Sequence, residues 1–277
     1  MRARARHRVV LAVVAAVLSI GWSETTIRHV AWKAVDFVPP DLARQIYRYE
    51  DRFNAGIRRG VAAPPSWRAG PPGNLPQALD AQVRRCAADL QKPVPLGDLV
   101  EELGILAVLV LDANDPLAVA HDDNREAAYA AAYQQYVDSI LGRVKLVFYG
   151  QDRELIEGEA IGSAVDAAVT RSASLYPFVG QEFYRTGDLR GWQSLDDRAV
   201  TFGVAAVALS RALTDLANFS ALIWRQGGGQ VPPQRPTPFG HSGPTITRTL
   251  DGGFPERDEP PRGNPALPNS GLKLPPP

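Results

Sequence analysis

The 277-residue chain sets 30 Lys and Arg against 30 Asp and Glu, for a formal charge of zero, and has a single cysteine, Cys86. That balance lacks the basic excess that binding nucleic acid through its phosphates requires. One cysteine excludes both an internal disulfide and a cysteine-built zinc cluster. With the two ends set aside, about 200 residues remain for folding, enough for one domain with a substantial core.

Arg2, Arg4, Arg6 and Arg8 stand ahead of an apolar stretch from Val9 to Ile20. Small residues at Ser19 and Gly21 place a signal-peptidase cut just before Trp22. The stretch is shorter than the roughly 20 apolar residues needed to span a bilayer. Residues 1–21 are therefore predicted to be a signal peptide, with the mature protein starting at Trp22. The protein is expected to be secreted or periplasmic, with no transmembrane span after leader removal. Loss of the four arginines moves the formal charge to about −4.

In residues 22–226 apolar residues recur at three and four positions and not at two, which predicts an all-α fold: a single multi-helix bundle around a buried apolar central helix. The first helix is expected from about Glu24 to Phe37, stopping before Pro39 and Pro40. Asp41 is read as the cap of a second helix with the stripe Leu42, Ile46, Tyr49, Phe53 and Ile57, ending near Gly60. A connector rich in Pro, Gly and Ala runs from Val61 to Gly73. A third helix follows on Leu79, Val83, Cys86 and Leu90, which makes Cys86 a small core residue. From Leu103 the fourth helix, Leu99 to Leu111, is apolar on every side, as for a helix in the middle of a bundle.

After Pro116 the pattern restarts near Asn124 and reaches about Leu141. Further helices are expected at about Arg153–Ser172, Leu175–Tyr184 and Leu195–Trp224, the last opened by a capping box of Ser194 and Asp197. From Val231 prolines are frequent and apolar periodicity vanishes. Residues 227–277 are predicted to be a disordered Pro-rich tail, either a spacer or docking segment or simply flexible chain.

Candidate chemistry centres on the processed terminus. A free α-amine beside its own carbonyl at Trp22 is a chelate, and His29 follows within the first helix. Asp112 ends the buried helix, where a carboxylate needs a partner: a metal, or an arginine such as Arg171 or Arg211. His121, Asp122 and Asp123 offer either further ligands or an ordinary helix N-terminal signal. Tyr129, Tyr133 and Tyr136 share one helix face, fit for core packing or for cradling an apolar ligand. No Ser or Cys comes with a supporting His as a nucleophile and base pair.

The order of Trp22, His29, the run Leu103 to Asp112 and Pro116-Leu117 resembles the zinc-dependent phospholipase C and P1/S1 nuclease superfamily, as does "YQQYVD" from Tyr133 to Asp138. The resemblance implies a secreted helical phosphodiesterase with three zinc ions, its mature chain starting on a metal-binding Trp. It also implies metal roles for Trp22, His29 and Asp112. The positions of its other ligands hold Val108, Ala118, Ala130 and Gln134, and no Asp or His lies between Val61 and Leu79. At most one Zn2+ is therefore expected, on Trp22, His29 and Asp112 with His121 as an extra ligand. One ion cannot clamp both the attacking and the leaving oxygen of a phosphodiester. The expected role is thus non-catalytic binding or scaffolding, with an apolar or phosphoester ligand in the cleft. The alternatives are a residual single-metal phosphodiesterase, or an unrelated helical export protein in which Asp112 pairs with Arg171 or Arg211.

Overall fold

The computed structural model describes residues 21–63, 74–120, 126–158, 160–185 and 191–234. Among the described residues the regular structure is helical throughout, and the all-α expectation holds. The helices are α1 (Glu24–Val35), α2 (Pro40–Arg48), α3 (Glu50–Ala62), α4 (Asn74–Leu90), α5 (Leu96–Ala113) and α6 (Pro116–Val119). They continue with α7 (Glu126–Ile140), α8 (Arg153–Gly158), α9 (Ile161–Ala173), α10 (Tyr176–Arg185), a 3-10 turn at Gly191–Ser194, and α11 (Val200–Gln226). The expected signal peptide up to residue 20, most of the connector, His121 and the chain beyond residue 234 lie outside the described residues.

The central helix is α5, packed against α1, α3, α4 and α11. Every residue from Leu106 to Ala113 is buried, as the uniformly apolar run predicts. Its tightest neighbour is α3, and small residues make that approach possible. A Cβ on Gly56 would lie 1.9 Å from the Glu101 carbonyl oxygen, and one on Gly104 would lie 2.3 Å from the Phe53 carbonyl oxygen. One turn further on, a Cβ on Gly60 would lie 2.7 Å from Val108 Cγ2. The two backbones therefore touch. Ion pairs fasten one end of the crossing: Arg52 reaches Asp98 and Glu101, and Arg59 reaches Glu101 and Glu102. These cations are half exposed and contribute little each, but they fix the rotation of α3 on α5.

The apolar stripe read as one second helix is carried by two. Tyr49 leaves helical geometry at φ −114° and ψ 38°; its N–H donates to the Gln45 carbonyl, closing α2, and its carbonyl accepts from Arg52 and Phe53, opening α3. A single non-helical residue keeps Leu42, Ile46, Phe53 and Ile57 all in the core, so periodicity alone cannot reveal the break. Asp41 lies inside the first turn of α2, whose N-cap is Pro39. The stretch read as one helix from Arg153 to Ser172 is likewise two, α8 and α9.

The expected capping box at Ser194 does not start α11. That helix starts at Val200, and its N-cap, Ala199, has no side-chain acceptor. The Glu182 carboxylate, from α10, accepts from Val200 N (3.0 Å) and Thr201 N (2.8 Å). A carboxylate from elsewhere in the fold thus does the work of an N-cap and complements the helix dipole. Asp197 pairs instead with Arg143.

By length and hydropathy α11 is fit to cross a membrane. Here it serves as a core helix, with most of its length buried. A polar row at four-residue spacing, Ser210, Thr214 and Asn218, accepts the backbone N–H groups of Val147, Tyr149 and Asp152 at 3.0–3.2 Å. The non-helical segment after α7 is thereby zipped along α11, its exposed N–H groups satisfied by side chains in place of a ladder. The start of the segment predicted to be a disordered tail is also held. Gln151 donates to the Pro232 carbonyl (2.9 Å) and accepts from Gln234 N (3.0 Å).

Gly104→Ala is expected to destabilise the protein by more than about 3 kcal/mol or prevent folding, because backbone lies where the methyl group would go. Gly203→Ala, in open space within α11, is expected to stabilise by about 0.5–1 kcal/mol. Urea unfolding of both variants checks the contrast.

Candidate functional site

The residues around the expected processing point are tied to α5 and α7. Ser23 caps α1, its Oγ accepting from Thr26 N at 3.0 Å. Ser23 Oγ and Thr26 Oγ1 both donate to Asp138 of α7. Trp22 is 2% exposed; its indole Nε1 donates to the Leu111 carbonyl at 3.0 Å, and its ring lies 5.6 Å from that of Tyr133. The indole thus adds a second donor to a carbonyl in the last turn of the central helix, which also accepts from Asn114 N at 3.0 Å. Gly21 is buried too, at φ +126°, a conformation L side chains rarely adopt. Its carbonyl accepts from Gln134 Nε2 at 3.2 Å.

The structure brings Trp22 beside the end of α5 that carries Asp112, but it turns His29 elsewhere. The buried face of α1 is centred on Ile27, Val30, Ala31 and Ala34. At 3.6 residues per turn, His29 points about 150° away from the centre of that face. Asp112 is fully enclosed, at 0% exposure. His29 is thus a half-exposed imidazole on the outer face of α1, whereas Asp112 is a carboxylate inside the bundle. Among the described residues no group of three or more His, Cys, Asp or Glu is placed to hold a metal. Of the two arginines named for Asp112, Arg171 pairs with Asp215 at 3.1 Å, and Arg211 lies over the Tyr149 ring, 4.1 Å from its centroid.

The positions that the resemblance assigns to other metal ligands are filled by packing. Val108 is 0% exposed and rests against Gly60. Ala130 is buried, and Gln134 is engaged with the Gly21 carbonyl. Tyr133 and Tyr136, each 1% exposed, are core residues, as their spacing allowed. Cys86 is also in the core, and burial pushes its thiol up to about 12, so it is an inert small hydrophobe.

His29 itself lines a surface cavity of about 550 Å³ on the outer face of α1. Arg28 and Lys33 bring positive charge to it, and Glu24 and Asp36 negative charge. Its aromatic wall is Trp32 and Tyr47, with ring centroids 5.6 Å apart. Trp32 is fixed from behind, its Nε1 donating to Asn54 Oδ1 at 3.1 Å. Burial, and then the positive charge of Lys33, lower the pKa of His29, so the ring is neutral at pH 7 and offers both a donor and an acceptor. Burial raises the pKa of Asp36, opposed by Lys33 and by a hydrogen bond from Tyr47. The sequence carried a trace of this site, since Arg28, His29, Trp32, Lys33 and Asp36 fall on one helical face. Tyr47 comes from α2, and only the packing of the two helices supplies it.

Because the folded state lowers the pKa of His29, it favours the neutral ring. Its contribution to stability is present above the unfolded value near 6.5 and is lost as pH falls through and below it. Histidine NMR should show His29 titrating below 6.5, and Lys33→Met should move it part of the way back. A second expectation concerns processing. In a chain that keeps Gly21, Gly21→Ala should cost about 1–2 kcal/mol in urea unfolding. An exported protein that starts at Trp22 should be indifferent to that substitution.

No protein-family model and no curated protein matches this chain, so its function has to be read from the arrangement of its own residues.

Proposed function

We propose that this is an exported helical protein, similar in plan to the zinc-dependent phospholipase C and P1/S1 nuclease superfamily, that binds a ligand and does not hydrolyse phosphodiesters. The observation that carries the reading is Val108, wholly buried against Gly60 where the resemblance places a metal-binding His. Hydrocarbon at that position offers an ion no ligand. The outward turn of His29 supports the same conclusion, since it removes the imidazole from Asp112. The binding role falls to the α1 cavity. Arg28 and Lys33 there are suited to a phosphoester oxygen, and Trp32 and Tyr47 to the apolar part of the same molecule.

Zinc content and catalysis test this together. The exported protein, and the same protein with an extra residue ahead of Trp22, are expected to hold no stoichiometric zinc and to leave bis(p-nitrophenyl) phosphate intact. Calorimetric titration with phenyl phosphate should show binding that Lys33→Met weakens about threefold or more. About one zinc per chain, lost on extending the terminus, would establish the single-metal hydrolase reading instead.

A further inference from the structure

A second cavity, of about 200 Å³, opens between the end of α5, α9 and α11 and shares no residue with the α1 site. Arg171 and Ser172 of α9, Arg211 of α11 and Asn114 line its polar side; Leu175 and Val207 line its apolar side. Ser172 is 2% exposed, yet its Oγ has no hydrogen-bond partner, and neither has the enclosed Nε of Arg171. Buried polar atoms are nearly always satisfied, and leaving a donor unmade costs about 1–3 kcal/mol. Two such atoms on consecutive residues beside one cavity point to an acceptor that the protein itself does not supply.

The charges around the cavity define that acceptor. Arg171 is engaged with Asp215, which also accepts from Asn114 Nδ2 at 3.0 Å. Arg211 stacks on Tyr149 and, among the described residues, forms no salt bridge with a carboxylate. Two guanidinium groups against one carboxylate leave one net positive charge, enough for a monoanion. The remaining wall is hydrocarbon, and Val207, 40% exposed, marks the mouth. We infer that this cavity binds a small monocarboxylate with a short apolar tail, its oxygens meeting Arg171, Arg211 and Ser172 and its tail lying along Leu175 and Val207. A planar carboxylate matches the guanidinium fork. A free phosphate ion, more highly charged and without a tail, would leave the apolar wall unfilled.

Isothermal titration of the exported protein with acetate, hexanoate and inorganic phosphate tests the assignment. Hexanoate should bind at least about tenfold more tightly than acetate, because its extra methylenes are buried, and more tightly than phosphate. Arg211→Met should weaken hexanoate binding about tenfold or more. Ser172→Ala, which removes only a hydroxyl, should weaken it severalfold with the urea midpoint retained or raised. Lys33→Met, in the other cavity, should leave hexanoate binding unchanged, so that failure here is separable from failure of the α1 site. Hexanoate binding no more tightly than acetate or phosphate overturns the inference. So does wild-type affinity in a folded Ser172→Ala protein, a result that decides the matter even if Arg211→Met does not fold.

Discussion

The contact on which the rest of the structure depends is the glycine crossing of α3 and α5. Gly56 and Gly104 let the two backbones touch, and Gly60 seats Val108 one turn along. Close approach brings many weakly attractive atoms within range at once, and it leaves α5 enclosed by α1, α3, α4 and α11. A helix apolar on every side needs such an enclosure, since any face left in water would expose hydrocarbon. Arg52 and Arg59 then lock the azimuth of α3 through Asp98, Glu101 and Glu102. Those glutamates are the only charges on α5 between Leu99 and Leu111, and they lie where the helix emerges from the core.

Around that centre, polar groups are satisfied across long sequence separations. Trp22 bonds to Leu111, Glu182 caps α11, and Ser210, Thr214 and Asn218 hold the chain that follows α7. Each side chain meets a backbone group from a distant part of the chain: a carbonyl in the last turn of α5, the first N–H groups of α11, or the N–H groups of the non-helical segment after α7. With one cysteine, buried at Cys86, the described fold rests on packing and on these bonds.

The same packing shapes both cavities. The outer face of α1 lies away from the core, so its polar residues Arg28, His29, Lys33 and Asp36 gather with Trp32 beside Tyr47 of α2. On the other side, Asn114 just beyond α5, the end of α9 and the middle of α11 converge on Asp215, which takes up Arg171 and leaves Arg211 over Tyr149. One site is aromatic and of mixed charge; the other is small, apolar and singly positive. Neither is lined by Trp22.

The sequence by itself determined the helical class, the buried stripes of α2 to α4, the enclosed central helix and the core places of Cys86, Tyr133 and Tyr136. Each of these follows from a local period of 3.6, which sorts residues by face without knowledge of any neighbour. Only the tertiary structure decided which neighbour each face meets. It split one apolar stripe at Tyr49 without disturbing its period, moved the start of α11 to a cap from Glu182, and turned His29 away from Asp112. It also brought Arg211 of α11 to the same cavity as Arg171 and Ser172 of α9. The spacing of residues along a chain places them on a helix, but convergence in space depends on how helices cross, and here three glycines set the closest of those crossings.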